Sequence, residues 1–120
     1  MLRSGQVTTL MGSEDERVEG SLPSYTGVTA NATGDAHYKD SPWSAFQAVI
    51  QGTGAVSATV TIEGSNDGTF WNGTVLGTIT LTGTTSDADG FAIVAPYKYV
   101  RAVLASLTGT SASVYVTMGV

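Results

Sequence analysis

The stretch Val56-Ser57-Ala58-Thr59-Val60-Thr61-Ile62-Glu63 decides the fold class. Its apolar Val, Ala, Val and Ile alternate with the polar Ser, Thr, Thr and Glu. A period of two places one set of side chains on a buried face and the other towards solvent, which is typical of a half-buried β-strand. The stretch therefore predicts a strand and argues against a helix.

The same pattern spreads outward from this strand over most of the chain. Similar apolar runs occupy residues 43–51, 75–82, 91–95, 97–107 and 112–118. Stretches rich in Gly, Asn, Asp or Pro separate the runs and predict turns. Residues 6–11 and 25–33 could each add a strand, which would give about eight. The sequence thus predicts an all-β fold, an antiparallel β-sandwich, and eight strands in two sheets would form a jelly roll.

Length and composition limit the function classes. A chain of 120 residues forms one domain, and only 12% of its residues are charged. Five basic residues at a net charge of −5 argue against a surface that binds nucleic-acid phosphates or anionic lipids. The chain has no cysteine, so it has no disulfide and no thiolate chemistry. The first six residues lack the apolar run of a signal peptide, and no stretch approaches the ~20 apolar residues of a membrane span.

The first part of the chain has a different texture, and we divide it from the rest as an N-terminal arm of residues 1–24 and a β-sandwich domain of residues 25–120. Residues 13–19 form an acidic run, which is typical of a solvated segment. Residues 1–23 are expected to be mobile in the free protein. They would order when Val7, Leu10 and Met11 join the edge of a neighbouring sheet. A chain truncated before Ser21 should then still fold.

No residue pattern indicates catalysis, a metal site or a cofactor. His37 is the single histidine, and it has neither a second histidine nor a cysteine for a metal site. The densest oxygen ligands lie in residues 66–68 and 87–90, and each group supplies too few to close a calcium shell. We interpret both groups as turns and His37 as an exposed loop residue. The protein is predicted not to be an enzyme.

The aromatic residues offer one candidate contact patch. Tyr97, Tyr99 and Arg101 share one face of a single predicted strand. They form a surface for a partner, unless another part of the same chain packs on them. Trp43 and Trp71 each lie at a strand end, where a tryptophan usually closes the rim of the core.

The hairpin Ile62-Glu63-Gly64-Ser65-Asn66-Asp67-Gly68-Thr69-Phe70-Trp71 resembles one in discoidin-type β-sandwiches and in structural proteins of tailed phages. It consists of a strand, a tight Asn-Asp-Gly turn, and a tryptophan that packs back on the core. The pattern indicates an all-β sandwich more than any one function.

Residues 46–120 as a whole resemble the small jelly-roll cement, or decoration, proteins that stabilise the capsids of tailed bacteriophages. The resemblance is carried by the repeated Gly-Thr turns and by Ala95-Pro96-Tyr97-Lys98-Tyr99-Val100-Arg101-Ala102. It implies a protein without enzyme activity that is synthesised in the host cytoplasm and binds the major capsid protein on the outer capsid surface.

The same resemblance implies a homodimer or homotrimer. The terminal strand, residues 112–118, is expected to lie at a sheet edge without a charged residue to protect it. The alternative function is a carbohydrate- or receptor-binding module of a phage tail or fibre.

Overall fold

The structure, a computed structural model, describes residues 7–15, 22–71, 75–94 and 96–120. The described chain is 76% strand with no helix, and every strand pair is antiparallel, so the all-β antiparallel prediction is confirmed. Five short strands precede three long ones: Val7–Met11 (β1), Ser13–Glu14 (β2), Tyr25–Thr26 (β3), Ala32–Thr33 (β4), His37–Tyr38 (β5), Trp43–Ser65 (β6), Val75–Val94 (β7) and Tyr99–Gly119 (β8).

The three long strands bend at the same level. Fully extended, the 23 residues of β6 would span about 76 Å, whereas the molecule measures 39 × 38 × 20 Å. The β6 register shifts against both neighbours between Gln51 and Ser57. Positive φ angles occur there at Gly54 in β6, at Thr85 in β7, and at Gly109 and Ser111 in β8. Each strand therefore folds back near its middle.

Bending produces two layers that face each other. Layer A contains residues 55–65, 75–84 and 99–108, with β4 and β5 beside β8. Layer B contains residues 43–51, 86–94 and 110–119, with β1 beside β8. The apolar inner faces of both layers join one core. Phe91 of layer B lies so close to Gly77 of layer A that a Cβ there would be 2.5 Å from its Cζ.

The predicted strands are thus mostly halves of longer strands. The Gly-rich stretches at 52–54, 83–85 and 108–110 were expected to be turns, but they are bends inside continuous strands. The Asp-rich stretch 87–90 also lies within β7. Chain reversals follow Ser65 and surround Pro96, as predicted. Jelly-roll connectivity is not confirmed, because three bent strands supply most of both layers.

The sheet edges differ from the expectation as well. The C-terminal strand β8 lies between β6 and β1, with β4 and β5 also paired to it, so it is not an edge. Within the described residues the end of the sheet path is β7, which pairs with β6. The C-terminal half of β8 pairs with β1, which lies more than 100 positions earlier in the sequence. No local sequence pattern indicates such a distant neighbour, so the strand was expected to be an edge.

The N-terminal segment also behaves differently from the predicted arm. β1 pairs with β8 of the same chain, and Leu10 and Met11 are each 3% exposed within the core. β2 pairs with β3. The segment therefore pairs with a sheet edge of its own chain, and not with a partner's sheet as we expected. Truncation before Ser21 would remove the core side chains of Leu10 and Met11, so the prediction that the truncated chain still folds is not supported. Residues 1–6 and 16–21, which complete the predicted arm, lie outside the described residues.

Candidate functional site

The outer face of layer A carries a cluster that we name the aromatic face. In layer A the even-numbered residues are buried from Val56 to Ile62 of β6 and from Val100 to Leu104 of β8, so their odd-numbered neighbours point outward. The register places Glu63 beside Arg101 and Ser65 beside Tyr99. The aromatic face consists of Tyr38, Glu63, Trp71, Tyr99 and Arg101.

Arg101 is held in place by two neighbours. Its Nε donates a hydrogen bond of 2.7 Å to Glu63 Oε1. Its guanidinium carbon lies 4.4 Å from the centre of the Trp71 ring, which is the geometry of a cation–π contact. Trp71 is only 7% exposed, but it is not among the residues of the apolar core cluster, so its closure of the core rim stays a prediction. A fixed guanidinium loses little freedom when it binds a partner, so this arginine is suited to a contact surface.

The chain that follows β6, from Ser65 to Phe70, is held by Asp67. Its Oδ1 accepts hydrogen bonds from the backbone N–H groups of Thr69 and Phe70 and from the Ser65 hydroxyl, at 2.9–3.0 Å. These hydrogen bonds, led by the one from Phe70, lower the pKa of Asp67. The predicted Asn-Asp-Gly turn is therefore present, and the Asp side chain serves the turn. The loop leaves Phe70 75% exposed beside the aromatic face.

Two tyrosines complete the aromatic face. Tyr38 and Tyr99 pack edge to face, with ring centres 5.4 Å apart and an interplanar angle of 69°. Gly68, with φ of 72°, lies against the Tyr99 ring. Tyr97 lies over Gly64, where a Cβ would be 2.9 Å from Cδ2 of the ring. Of the three residues predicted as a contact patch, Tyr99 and Arg101 lie together on the outer face. Tyr97 does not join them, because it precedes β8 and its ring lies on the side of Gly64 that faces inward with Ile62.

A second surface, which we name the Trp43 end, lies on the outer face of layer B. Trp43 pairs with Val94, and Ala45 pairs with Ala92, where β6 begins and β7 ends. Trp43 is 64% exposed and Val7 is 65% exposed. A shallow depression follows these side chains, and its lining is Val7, Trp43, Ser44, Ala45, Ala92, Gly119 and Val120.

The exposure of Trp43 contradicts the prediction that it closes the rim of the core. The position of Trp43 along its strand already indicates this exposure in the sequence. Phe46, Ala48 and Ile50 share the buried face, and Trp43 has the opposite parity on the same strand. Of the predicted contact residues in the N-terminal segment, Val7 belongs to this surface, whereas Leu10 and Met11 lie in the core.

Part of the outer face of layer B is covered by the chain itself. Tyr25 of β3 stacks on Tyr115 of β8, with ring centres 4.7 Å apart. Asp15 Oδ1 accepts a hydrogen bond of 2.6 Å from the Thr26 hydroxyl and so joins the segments around β2 and β3. The first acidic residues thus pack locally instead of extending from the domain.

Titratable groups do not gather into a reaction centre in the described part of the chain. No three His, Asp or Glu side chains there come together as a metal site would require. His37, expected in an exposed loop, lies half-buried in β5 opposite Val100. Lys39 is 1% exposed, and its Nζ donates to the Ser41 carbonyl at 2.9 Å. Burial, with a smaller effect of nearby Lys98, lowers the pKa of Lys39.

Comparison of the chain with protein-family models, with curated proteins and with solved structures finds no match. In the residues described, no helix has the length and hydropathy to cross a membrane. The aromatic face and the Trp43 end are therefore the features on which a functional proposal rests.

Proposed function

We propose that the protein is a non-enzymatic structural protein of a virion, a capsid cement or decoration protein that binds the major capsid protein on the outer shell. The observation that carries the proposal is that two surfaces suited to protein binding, the aromatic face and the Trp43 end, lie on opposite outer faces of one sandwich. Both lie at the end of the molecule away from the strand bends. A protein with two such faces is able to join neighbouring subunits of a shell.

The aromatic face has the composition of a protein-binding surface. Tyr, Trp and Arg are the residues that most often dominate binding free energy in protein interfaces. Here Arg101 is already oriented by Glu63 and Trp71. Binding would therefore cost less conformational entropy than the ordering of a free arginine.

The Trp43 end supports a protein partner for a different reason. It exposes Trp43, Val7 and Val94 around alanine and glycine positions. Grouped apolar side chains on a surface are typical of sites that another protein covers.

The alternative, a carbohydrate-binding module, is less well supported by this geometry. Stacking on a sugar requires an open aromatic ring with hydrogen-bonding side chains beside it. Trp71 is buried under Arg101. The open ring of Trp43 has mainly apolar neighbours, and among the described residues that line the depression only Ser44 is polar, with 3% of it exposed. A protein partner therefore fits both surfaces better than a sugar does.

Cosedimentation with empty capsids tests the proposal. The capsids are assembled from the major capsid protein encoded in the same genome, and binding should be saturable. Tyr99→Ala and Trp43→Ala should each weaken it at least tenfold. Thr84→Ala, at the exposed bend of β7, is the matched control and should bind as the unchanged chain does.

Two results would overturn the proposal. One is an absence of binding to capsids by a correctly folded chain. The other is capsid binding that neither Tyr99→Ala nor Trp43→Ala weakens. Saturable binding to a glycan array, lost in Trp43→Ala, would replace it with the carbohydrate-binding alternative.

A further inference from the structure

The edge strand β7 contains a palindrome. Residues 77–83 read Gly-Thr-Ile-Thr-Leu-Thr-Gly, which is symmetric about Thr80 if Ile and Leu are taken as equivalent. When two copies of one strand pair antiparallel about a two-fold axis, residue order reverses in the partner. A palindromic strand therefore places like residues opposite each other in such a pair.

Along the palindrome, the backbone N–H and C=O groups of successive residues point alternately towards β6 and towards the open side of β7. The N–H of Thr82 donates to Asp87 Oδ2 at 2.9 Å, so it points away from β6. Alternate residues of a strand direct their N–H and C=O groups to the same side. No register shift separates Thr82 from Thr78. Thr78 and Thr80 thus present their backbone groups to the open edge.

One feature protects the edge of this half of β7, namely the Asp87 carboxylate on the Thr82 N–H. Residues 75–84 contain no charged residue and no proline. The other half of the strand carries Asp87 and Asp89, whose carboxylates would repel those of a second copy. In the described part of the chain β7 pairs with β6 alone. Pairing with another strand is therefore favoured along residues 77–83 and opposed beyond them.

We infer that two copies of this chain associate through β7, antiparallel, with a two-fold axis at Thr80. Thr80 then lies opposite Thr80 of the second copy, and Thr78 lies opposite Thr82. Asp87 Oδ2 occupies the position that the Thr78 carbonyl of the second copy needs, so pairing displaces Asp87 from the Thr82 N–H. The N–H groups of Thr78, Thr80 and Thr82 in both copies then donate six hydrogen bonds. Ile79, which is buried, lies opposite Leu81 and extends the core across the axis.

The inference deepens the proposed function, since it supplies the surface for the self-association that a cement protein of this kind is expected to show. Its tests use the free protein without capsids. A failure of these tests would therefore leave the proposal of capsid binding through the aromatic face or the Trp43 end unaffected, and a failure of capsid binding would leave the inferred dimer unaffected.

Single-cysteine variants test the register, because the natural chain has no cysteine. Opposed residues in a hydrogen-bonded antiparallel pair have Cα atoms about 5.5 Å apart, within the range of a disulfide. Thr80→Cys should thus form a covalent dimer when the full chain is oxidised with diamide. Thr78→Cys should not, since its two copies would lie about 14 Å apart. Ser106→Cys, on exposed β8, measures random collision.

Thr80→Cys should cross-link at least tenfold faster than either other variant. Equal rates for Thr80→Cys and Ser106→Cys would overturn the inference. Equal rates for Thr80→Cys and Thr78→Cys would overturn the register.

Charge substitutions test the association itself by sedimentation velocity. The unchanged chain should show a concentration-dependent dimer. The double variant Thr78→Lys/Thr80→Lys should raise the dissociation constant at least tenfold, because it places four like charges around the axis. Ser106→Lys/Thr108→Lys adds the same charge to exposed β8 and should leave the dimer unchanged. A monomer at all concentrations, or a dimer that both double variants leave intact, would overturn the inference.

Discussion

Arg101 is the residue on which the aromatic face most depends, since it contacts both Glu63 and Trp71. Arg101→Ala would leave the half-buried Glu63 carboxylate without this hydrogen bond and remove the cation–π contact. We expect it to lower the free energy of unfolding by about 2 kcal/mol in urea titration.

Arg101→Lys should restore less than half of that loss, because an ammonium lacks the guanidinium plane. Lys98→Ala removes a cation from an exposed site and should change stability by less than about 0.5 kcal/mol. Equal stabilities of Arg101→Lys and the unchanged chain would mean that charge alone matters at this position.

Asp67 should make the stability of the β6–β7 loop depend on pH in the acid range. Its folded-state pKa lies below the ordinary value of 3.8 because the charged carboxylate accepts hydrogen bonds from Phe70, Thr69 and Ser65. The unfolded chain therefore binds this proton first as pH falls. The stabilisation is complete above the unfolded pKa and is lost as pH falls through the folded one.

Comparison with Asp67→Ala measures this effect. The difference in unfolding free energy between the two chains should be constant between pH 5 and 7, because this range begins about one unit above the ordinary carboxyl pKa. It should shrink below that range. A difference that grows as pH falls would contradict the assigned sign.

At the scale of elements, β7 meets itself across the core, because Gly77 in layer A lies against Phe91 in layer B. Gly77→Ala would place a Cβ against the Phe91 ring, so the layers must move apart or the ring must turn. Overpacking of this kind should cost at least about 2 kcal/mol in denaturant titration.

The double variant Gly77→Ala/Phe91→Leu should lose less stability than the two single changes added together, because the smaller side chain removes the clash. Gly119→Ala is the control, since its Cβ would meet Val7 at an ordinary 3.9 Å. Strict additivity of the Gly77 and Phe91 changes would show that the two residues do not touch.

Across the whole molecule, the three bent strands make the layers one cooperative unit. Each of β6, β7 and β8 contributes to both layers, so neither layer has a complete set of strands of its own. We expect a single two-state unfolding transition. The two tryptophans provide local reporters, since Trp43 lies on layer B and Trp71 on layer A.

Single-tryptophan chains measure this cooperativity. In Trp43→Phe the fluorescence of Trp71 should follow the same urea curve as far-UV circular dichroism. In Trp71→Phe the fluorescence of Trp43 should do so too, even if the buried substitution lowers the midpoint. A fluorescence transition that precedes the loss of strand signal in either chain would mean that the layers unfold separately.

The sequence by itself determined the all-β class, the inward and outward faces of the strands, and the Asn-Asp-Gly loop. These properties are local: the alternation of Val56, Ala58, Val60 and Ile62 is a feature of one strand, and Asp67 bonds its own neighbours. The juxtaposition of Tyr99 and Arg101 could be predicted for the same reason, since they have the same parity along β8. Tyr97 departs from the prediction, because it precedes the strand and its ring lies against the inward side of Gly64.

Tertiary structure alone decided whether a glycine-rich stretch reverses the chain or bends it. Gly54 and Gly109 adopt positive φ, as turn glycines do, yet strand pairing continues on both sides of them. Long-range pairing likewise placed β1 against β8 and buried Leu10 and Met11, which in isolation read as a mobile segment. The physical reason is that strand pairing joins residues 105 to 112 positions apart here, and no local pattern records which partner a strand will meet.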